Sequence, residues 1–529
     1  MAFVRAGSYS ELSKKGSDLV RLEGKQIVLF DGPKGVFACN NRCPHEGYPL
    51  KEGSLTDGCI LTCNWHNWKF DLESGDTLVG GDTLRRYPVR IDGDEIWLDL
   101  TEPPLEEKVA AAEANLREAV DKHEYDRIAR ELSRLSLAGA DPLEALRKVI
   151  AWQHDRFEFG TTHAIAAAPD WLAIRQRLLD QGVDGRDDAA AALVPLVESI
   201  GHFAWDALRE PHFPFAGGTA PYDAGAFVAA MEAEDEDQAV RLLRGALEAG
   251  LTFADLEPAF ARAALAHYAD FGHSAIYVLK TGELIDALGP EVAEPLSLAL
   301  TRSLIYASRE DLLPEFRHYA DVLGRWADAG TRGVAPTDFV GLSVEQALER
   351  ALESGGAVEP LYAALLGANA HNLVSFDLPL QGRTTGSISN NVSWLDFTHG
   401  VTFSNAVRHL CGRSPELWPQ GLLQMACFAG RNARYIDRHF DMSPWRVTDP
   451  VAFVCHNVGN LLDHGQFEYI VSCHQVKLTM AVADELAAGP AAETAQTLAA
   501  GLNRFLNSPL KRRHSLRTAR QAMAFVAIE

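Results

Sequence analysis

The sequence predicts a multidomain protein, an all-β N-terminal domain followed by a large all-α helical region, and two observations carry that prediction. Short β-branched and aromatic runs, separated by Asp-Gly and Gly-Asp punctuation, fill the first hundred residues. From Leu105 onward, Ala- and Leu-rich segments with Arg and Glu on their polar faces follow one another, and strand patterning nearly vanishes. The change falls at Glu102-Pro103-Pro104, and the stretch Gly330 to Thr337 (GTRGVAPT) interrupts the helical pattern. The expected domains are therefore 1–101, 102–330 and 331–529.

In the first domain, Gln26 to Phe30 (QIVLF), Gly35 to Ala38, Cys59 to Leu61, Lys69 to Leu72 and Glu95 to Leu100 read as strands, with a turn at Glu73-Ser74-Gly75-Asp76. Helices are expected over Glu124 to Leu137, Pro142 to Phe157 and Gln238 to Ala249. Loops are expected at Glu210 to Pro221 and at Gly382 to Ser393 (GRTTGSISNNVS).

A chain of 529 residues that is 47% hydrophobic can bury sizeable cores without staples. Its eight Cys are too scattered for a disulfide framework, which points to a reducing cytoplasm. The N-terminus has no signal-peptide core, and no run approaches the ~20 apolar residues of a membrane span, so no membrane is expected. A formal net charge of −23 argues against nucleic acid, because binding there runs on Lys and Arg. The expected partners are a small-molecule substrate and a protein electron donor.

The densest chemistry lies between Cys43 and His66. Cys43-Pro44-His45 is followed, after 17 residues, by Cys63-Asn64-Trp65-His66. Each short segment offers one thiolate and one imidazole, which suits a [2Fe–2S] cluster in which two Cys hold one iron and two His the other. Zinc also takes two Cys and two His, but finger-type sites usually pair Cys with Cys and His with His.

Cys43-Pro44-His45-Glu46-Gly47 and Cys63-Asn64-Trp65-His66 resemble the two ligand loops of Rieske domains, over about residues 1 to 100. The resemblance implies a [2Fe–2S] cluster held by Cys43, His45, Cys63 and His66. Respiratory members of that family add a loop-to-loop disulfide, whereas Tyr48 and Trp65 stand in the neighbouring positions here, as in the soluble ferredoxin and oxygenase type. Cys39 and Cys59 flank the loops and suit buried filling.

The helical region carries a repeat with chemistry in it. Asp270-Phe271-Gly272-His273 and Asp396-Phe397-Thr398-His399 both read Asp-Phe-x-His in apolar surroundings. On a helix, i and i+3 share a face, so each segment is expected to present a carboxylate and an imidazole together, the way helical bundles build iron sites. A single such pair reads more readily as a buried His bonded to its own Asp; the repetition favours the metal. His273 and His399 are the first candidate ligands, Asp270 and Asp396 co-ligands or orienting groups, and His202, His371 and His464 compete for the remaining positions. His163 and His474 lie in comparably apolar segments, while His267 points about 240° away from His273. Between Lys148 and residue 511 the only lysines are Lys280 and Lys477, each near a His. Burial would depress either toward neutrality and make it a base, ligand or anchor, Lys280 included as a catalytic group; the alternative is two snorkelling stems.

Leu395 to Ala406 and the segments around His163 and His273 are similar to the questin-oxidase-like non-haem metal oxygenases, an all-helical group, and this similarity implies an iron site with several His ligands. Ring-hydroxylating Rieske oxygenases resemble the chain only in its first hundred residues. The expected function is an oxidoreductase: the cluster, fed by a separate reductase or ferredoxin, passes electrons to non-haem iron that activates dioxygen on a small organic substrate. No Gly-x-Gly-x-x-Gly follows a strand, so no nucleotide-binding reductase domain is expected in the chain. The alternatives are an electron carrier or redox sensor with a helical docking module, and a metal-free enzyme using Lys280 as a Schiff base. Convergence of His273 and His399 discriminates between the enzyme and the carrier.

Overall fold

Ten strands, all paired antiparallel, build the N-terminal domain in the computed structural model, which describes residues 3–182, 186–510 and 514–528. They are β1 (Phe3–Ser8), β2 (Ser17–Leu22), β3 (Lys25–Gly32), β4 (Gly35–Asn40), β5 (Ser54–Thr56), β6 (Ile60–Thr62), β7 (Lys69–Asp71), β8 (Thr77–Val79), β9 (Val89–Asp92) and β10 (Glu95–Asp99). Three sheets result, in the orders β1-β10-β9, β2-β3-β4 and β5-β6-β7-β8. Every strand run named from sequence falls in one of them. The strands not expected from sequence, such as β1 and β9, have no clean apolar alternation. The helix Tyr9–Lys15 was missed as well; it starts behind Ser8, whose hydroxyl accepts the Glu11 amide.

Strand β3 explains why this domain needs no disulfide. Its side chains alternate between two cores: Val28 and Phe30 face the one that holds Cys43, Cys63, Leu61 and Phe70, while Ile27 and Leu29 face the one that holds Leu12, Ile96 and Leu98. All eight cysteines of the chain are free.

The chain divides into two compact units, Met1–Ala119 with Asp126–Asp141, and Val120–Tyr125 with Pro142–Glu529. Both expected boundaries shift. The first unit runs past residue 101 because the helix Tyr125–Leu137 buries charged groups against the loop after β8: Arg127 Nε lies 2.6 Å from the fully buried carboxylate of Asp82, and Arg130 Nε 3.2 Å from it. The boundary expected near Gly330 lies inside the second unit, where helices from both expected halves interleave. Trp394–Arg413 packs on His273–Leu288, and Tyr469–Ala487 on His163–Asp180. No described helix is long and apolar enough to cross a membrane.

Removing one side of a buried ion pair strands the other in low dielectric. Asp82→Ala is expected to destabilise the first unit by about 3–5 kcal/mol in urea unfolding, whereas Asp82→Leu combined with Arg127→Met should restore most of that loss.

Candidate metal centres

Two loops of one design leave the sheets of the first unit. In the loop after β4, the Cys43 amide donates to the Tyr48 carbonyl (2.9 Å) and the Gly47 amide to the Cys43 carbonyl (2.8 Å). In the loop after β6, the Cys63 amide donates to the Trp68 carbonyl (2.8 Å) and the Asn67 amide to the Cys63 carbonyl (2.9 Å). The fourth residue after each Cys turns through positive φ, 76° at Gly47 and 59° at Asn67, a region that Gly and Asn occupy most readily. Both thiols are thereby buried, while His45 and His66 are partly exposed with their Nδ1 atoms 3.1 Å apart. His45 stacks on Trp68 (4.6 Å between centroids) and His66 on Trp65 (5.1 Å). Tyr48 and Trp65 meet edge to face at 5.4 Å, joining the loops through rings. Burial, with Cys63 alongside, pushes the Cys43 thiol up to about 12, so that thiol ionises near neutral pH only with a cation bound.

A second set of donors converges in the helical unit. His163 opens the helix His163–Asp180 behind Thr162, whose hydroxyl accepts the Ala164 amide (3.2 Å). His273 opens His273–Leu288 behind Gly272. His399 and His474 each sit in the second turn of their helices, Trp394–Arg413 and Tyr469–Ala487. Nε2 of His163 lies 3.1 Å from Nε2 of His273, and Nε2 of His399 lies 3.2 Å from Nε2 of His474. The ring centroids of His273 and His399 are 4.4 Å apart, those of His163 and His474 5.0 Å.

The outer nitrogens explain how the rings are aimed. His273 Nδ1 donates to the Asp270 carbonyl (2.5 Å) and His474 Nδ1 to the Ile470 carbonyl (2.6 Å), which leaves each Nε2 lone pair facing inward. Burial, reinforced by neighbouring imidazoles and Lys477, pushes His163, His399 and His474 well below the ordinary imidazole range; burial and Lys477 push His273 down to about 4. At this range either one ring of each pair donates an Nε2 proton to the other, or both Nε2 lone pairs face a cation between them. A tetrahedral site with metal–nitrogen bonds near 2.0 Å has an edge of about 3.3 Å, close to both separations.

Of the sequence candidates, His273 and His399 come together and the others do not. The Asp-Phe-x-His segments are not equivalent helical pairs. Asp270, Phe271 and Gly272 all take positive φ (45°, 53° and 81°) ahead of their helix, so the i, i+3 face is never formed. A Cβ on Gly272 would come within 2.8 Å of Phe403 and 2.9 Å of Phe428, so only glycine lets the chain pass there. The Asp270 carboxylate stays 3.8 Å from His273 Nδ1, and its backbone carbonyl orients the ring instead. Asp396 is drawn back over its own helix end by the Ser393 amide (2.8 Å) and by Arg431 (2.9 Å). The same guanidinium covers Phe271 at 4.5 Å, so Arg431 clamps one segment to the other.

His371 lies beside Ser375 on its own helix. His464 pairs with Glu198 (3.1 Å), and His202 stacks on Tyr469 (5.0 Å). His464 borders a cavity of about 400 Å³ walled by Tyr125, Trp205, Phe467 and Tyr469 at the start of the helix that carries His474. Neither lysine snorkels. Burial opposes the charge on Lys280, but Asp170 and Glu283, both at 2.8 Å, outweigh it and hold the ammonium above the ordinary lysine range, which removes it as a neutral base or Schiff-base amine. Lys477 is 2% exposed, pushed down by burial, and its Nζ has no hydrogen-bond partner. His163 and His474 were missed as ligands; the usable signals were a Thr-Thr-His helix start and the rare lysine three residues after His474.

Residues 2–86 match the family model described as the Rieske [2Fe–2S] domain. The ferredoxin subunit of 3-phenylpropionate/cinnamic acid dioxygenase from Shigella boydii is 36% identical over 78 residues, which is 14% of this chain and 74% of that one. The chain belongs to the Rieske [2Fe–2S] family. The ferredoxin subunit of biphenyl dioxygenase from a Pseudomonas species is 27% identical over 107 residues, 20% of this chain and 98% of that one. A 4beta-methylsterol monooxygenase from Methylococcus capsulatus is 36% identical over 98 residues, and this chain spans only 26% of that relative's length. Among solved structures, the ferredoxin of carbazole 1,9a-dioxygenase from Nocardioides aromaticivorans aligns at 23% identity, covering 19% of this chain and 100% of that one, with a TM-score of 0.18.

A Rieske domain implies a [2Fe–2S] cluster, and the donor set of the two loops fits one: two buried thiols on one side, two partly exposed imidazoles on the other. Cys63→Ser is expected to yield protein without the cluster's visible absorption, whereas Cys39→Ser and Cys59→Ser, at buried positions outside the two loops, should keep it.

Proposed function

We propose that this protein is an oxidoreductase of the oxygenase type, in which the Rieske domain feeds electrons to a non-haem iron site held by His163, His273, His399 and His474. The observation that carries this reading is the quartet itself, two buried imidazoles (His399 and His474) and two partly buried ones (His163 and His273), with paired Nε2 atoms at 3.1 and 3.2 Å. Cys43, His45, Cys63 and His66 would hold the cluster. Such a cluster supplies single electrons at a potential raised by its His ligands, and such an iron supplies dioxygen binding and reduction.

The chain's own residues give the quartet what this chemistry needs. The carbonyls of Asp270 and Ile470 hold His273 and His474 in the donor tautomer. Phe271, set edge-on to His399 at 5.6 Å, and Phe428 behind it exclude water from that side. The aromatic cavity beside Tyr469 is the natural entry for a small organic substrate, since its wall and His474 share one helix. The electron donor would be a separate reductase or ferredoxin.

A second reading, an electron carrier with a helical docking module, is favoured by the relatives in which the domain serves as a ferredoxin subunit. Iron analysis separates the two. Reconstituted protein is expected to hold about three irons per chain, two of them in the cluster, and His399→Ala with His474→Ala to hold about two with an unchanged cluster spectrum. Two irons in every form would sink the oxygenase reading and leave the carrier.

A further inference from the structure

The quartet is chemically incomplete, and Lys477 shows by what. Four neutral imidazoles leave the full charge of a divalent cation uncompensated in a largely buried site, where an unbalanced charge is costly. No acidic side chain described around the site supplies the balance. Asp170 is engaged with Lys280 and Asp396 with Arg431, and the Asp270 carboxylate lies on the Nδ1 side of His273, away from the paired Nε2 atoms. The donors that lie within 4.8 Å of one another there are His163, His273 and His399, and His474 joins them through His399, so histidines alone make up the set.

Into the same region the chain places a second positive group. Lys477 follows His474 by three residues, almost one helical turn, and therefore shares its face of Tyr469–Ala487. It is 2% exposed, its Nζ meets no acceptor, and the Tyr277 ring lies 6.0 Å away. Its field reaches all four imidazoles. Lys280, the other buried lysine among the described residues of the unit, has two carboxylates at 2.8 Å, whereas Lys477 has none. Two helices, of 18 and 16 residues, also begin at this point with His163 and His273, and add the positive ends of their dipoles.

Resting on the four-histidine reading, we propose that Lys477 is the anchor for a small oxyanion, of the carboxylate class, that enters the site with the metal and lies between it and the Nζ. The anion balances the charge of both cations, and its second oxygen gives Nζ the acceptor it lacks. Substrates or co-ligands of this site therefore carry an ionised carboxylate or an equivalent oxyanion.

The test uses the full chain loaded with cobalt(II), whose visible bands report on its ligands, and titrated with formate. Formate should shift the bands of the wild type, with affinity about tenfold or more weaker in Lys477→Met and partly restored in Lys477→Arg, as expected for loss of a charge-assisted hydrogen bond. Methionine is an apolar replacement for an unpaired buried ammonium, so Lys477→Met should unfold at the wild-type temperature or above it. Normal cobalt bands with equal formate affinity in wild type and Lys477→Met would overturn this inference alone. Absence of cobalt bands from the wild type would overturn the metal reading, and this one with it.

Discussion

Four imidazoles gathered at one point, two buried and two partly so, are held below the ordinary imidazole range, and much of the helical unit keeps them neutral. Protonating any one of them would set an ammonium-like charge beside Lys477 and the other rings. Two of the four occupy the first position of a helix, where the positive end of the helix dipole also opposes protonation. Two are further fixed by backbone carbonyls that take the Nδ1 proton. The arrangement has a symmetry of position: two histidines at helix starts and two in second turns, so that four helix ends converge on one point.

The N-terminal cluster site relies on a different economy. Its donors come from two loops within a short stretch of chain, and each loop closes on its own backbone bonds before the sheets bring the pair together. Sequence spacing therefore carried nearly all of the information, and the residues named between Cys43 and His66 are the ones that meet. A donor pair made locally can be read locally.

The helical site could not be read that way, because each helix gives one ligand and periodicity does not say which helices meet. His202, His371 and His464 were as plausible as His163 and His474 while only apolar surroundings were visible. The repeated Asp-Phe-x-His misled for a particular reason: it assumed a continuous helix, whereas three successive residues of positive φ precede His273 and a capping carboxylate precedes His399. The repetition still pointed to the two histidines that converge. What it missed was the role of the aspartates, one acting through its carbonyl and the other as a partner of Arg431. The two lysines drew notice by rarity, and only packing distinguishes the one held by two carboxylates from the one held by none.

His163 stands near the beginning of the helical unit and His474 near its end, with His273 and His399 between them. During synthesis the quartet therefore cannot close until residue 474 has left the ribosome and the helix Tyr469–Ala487 has docked on His163–Asp180. Under the proposed metal reading, a nascent chain offers an ion at most three of the four imidazoles, and the full donor set is complete only once that helix has docked.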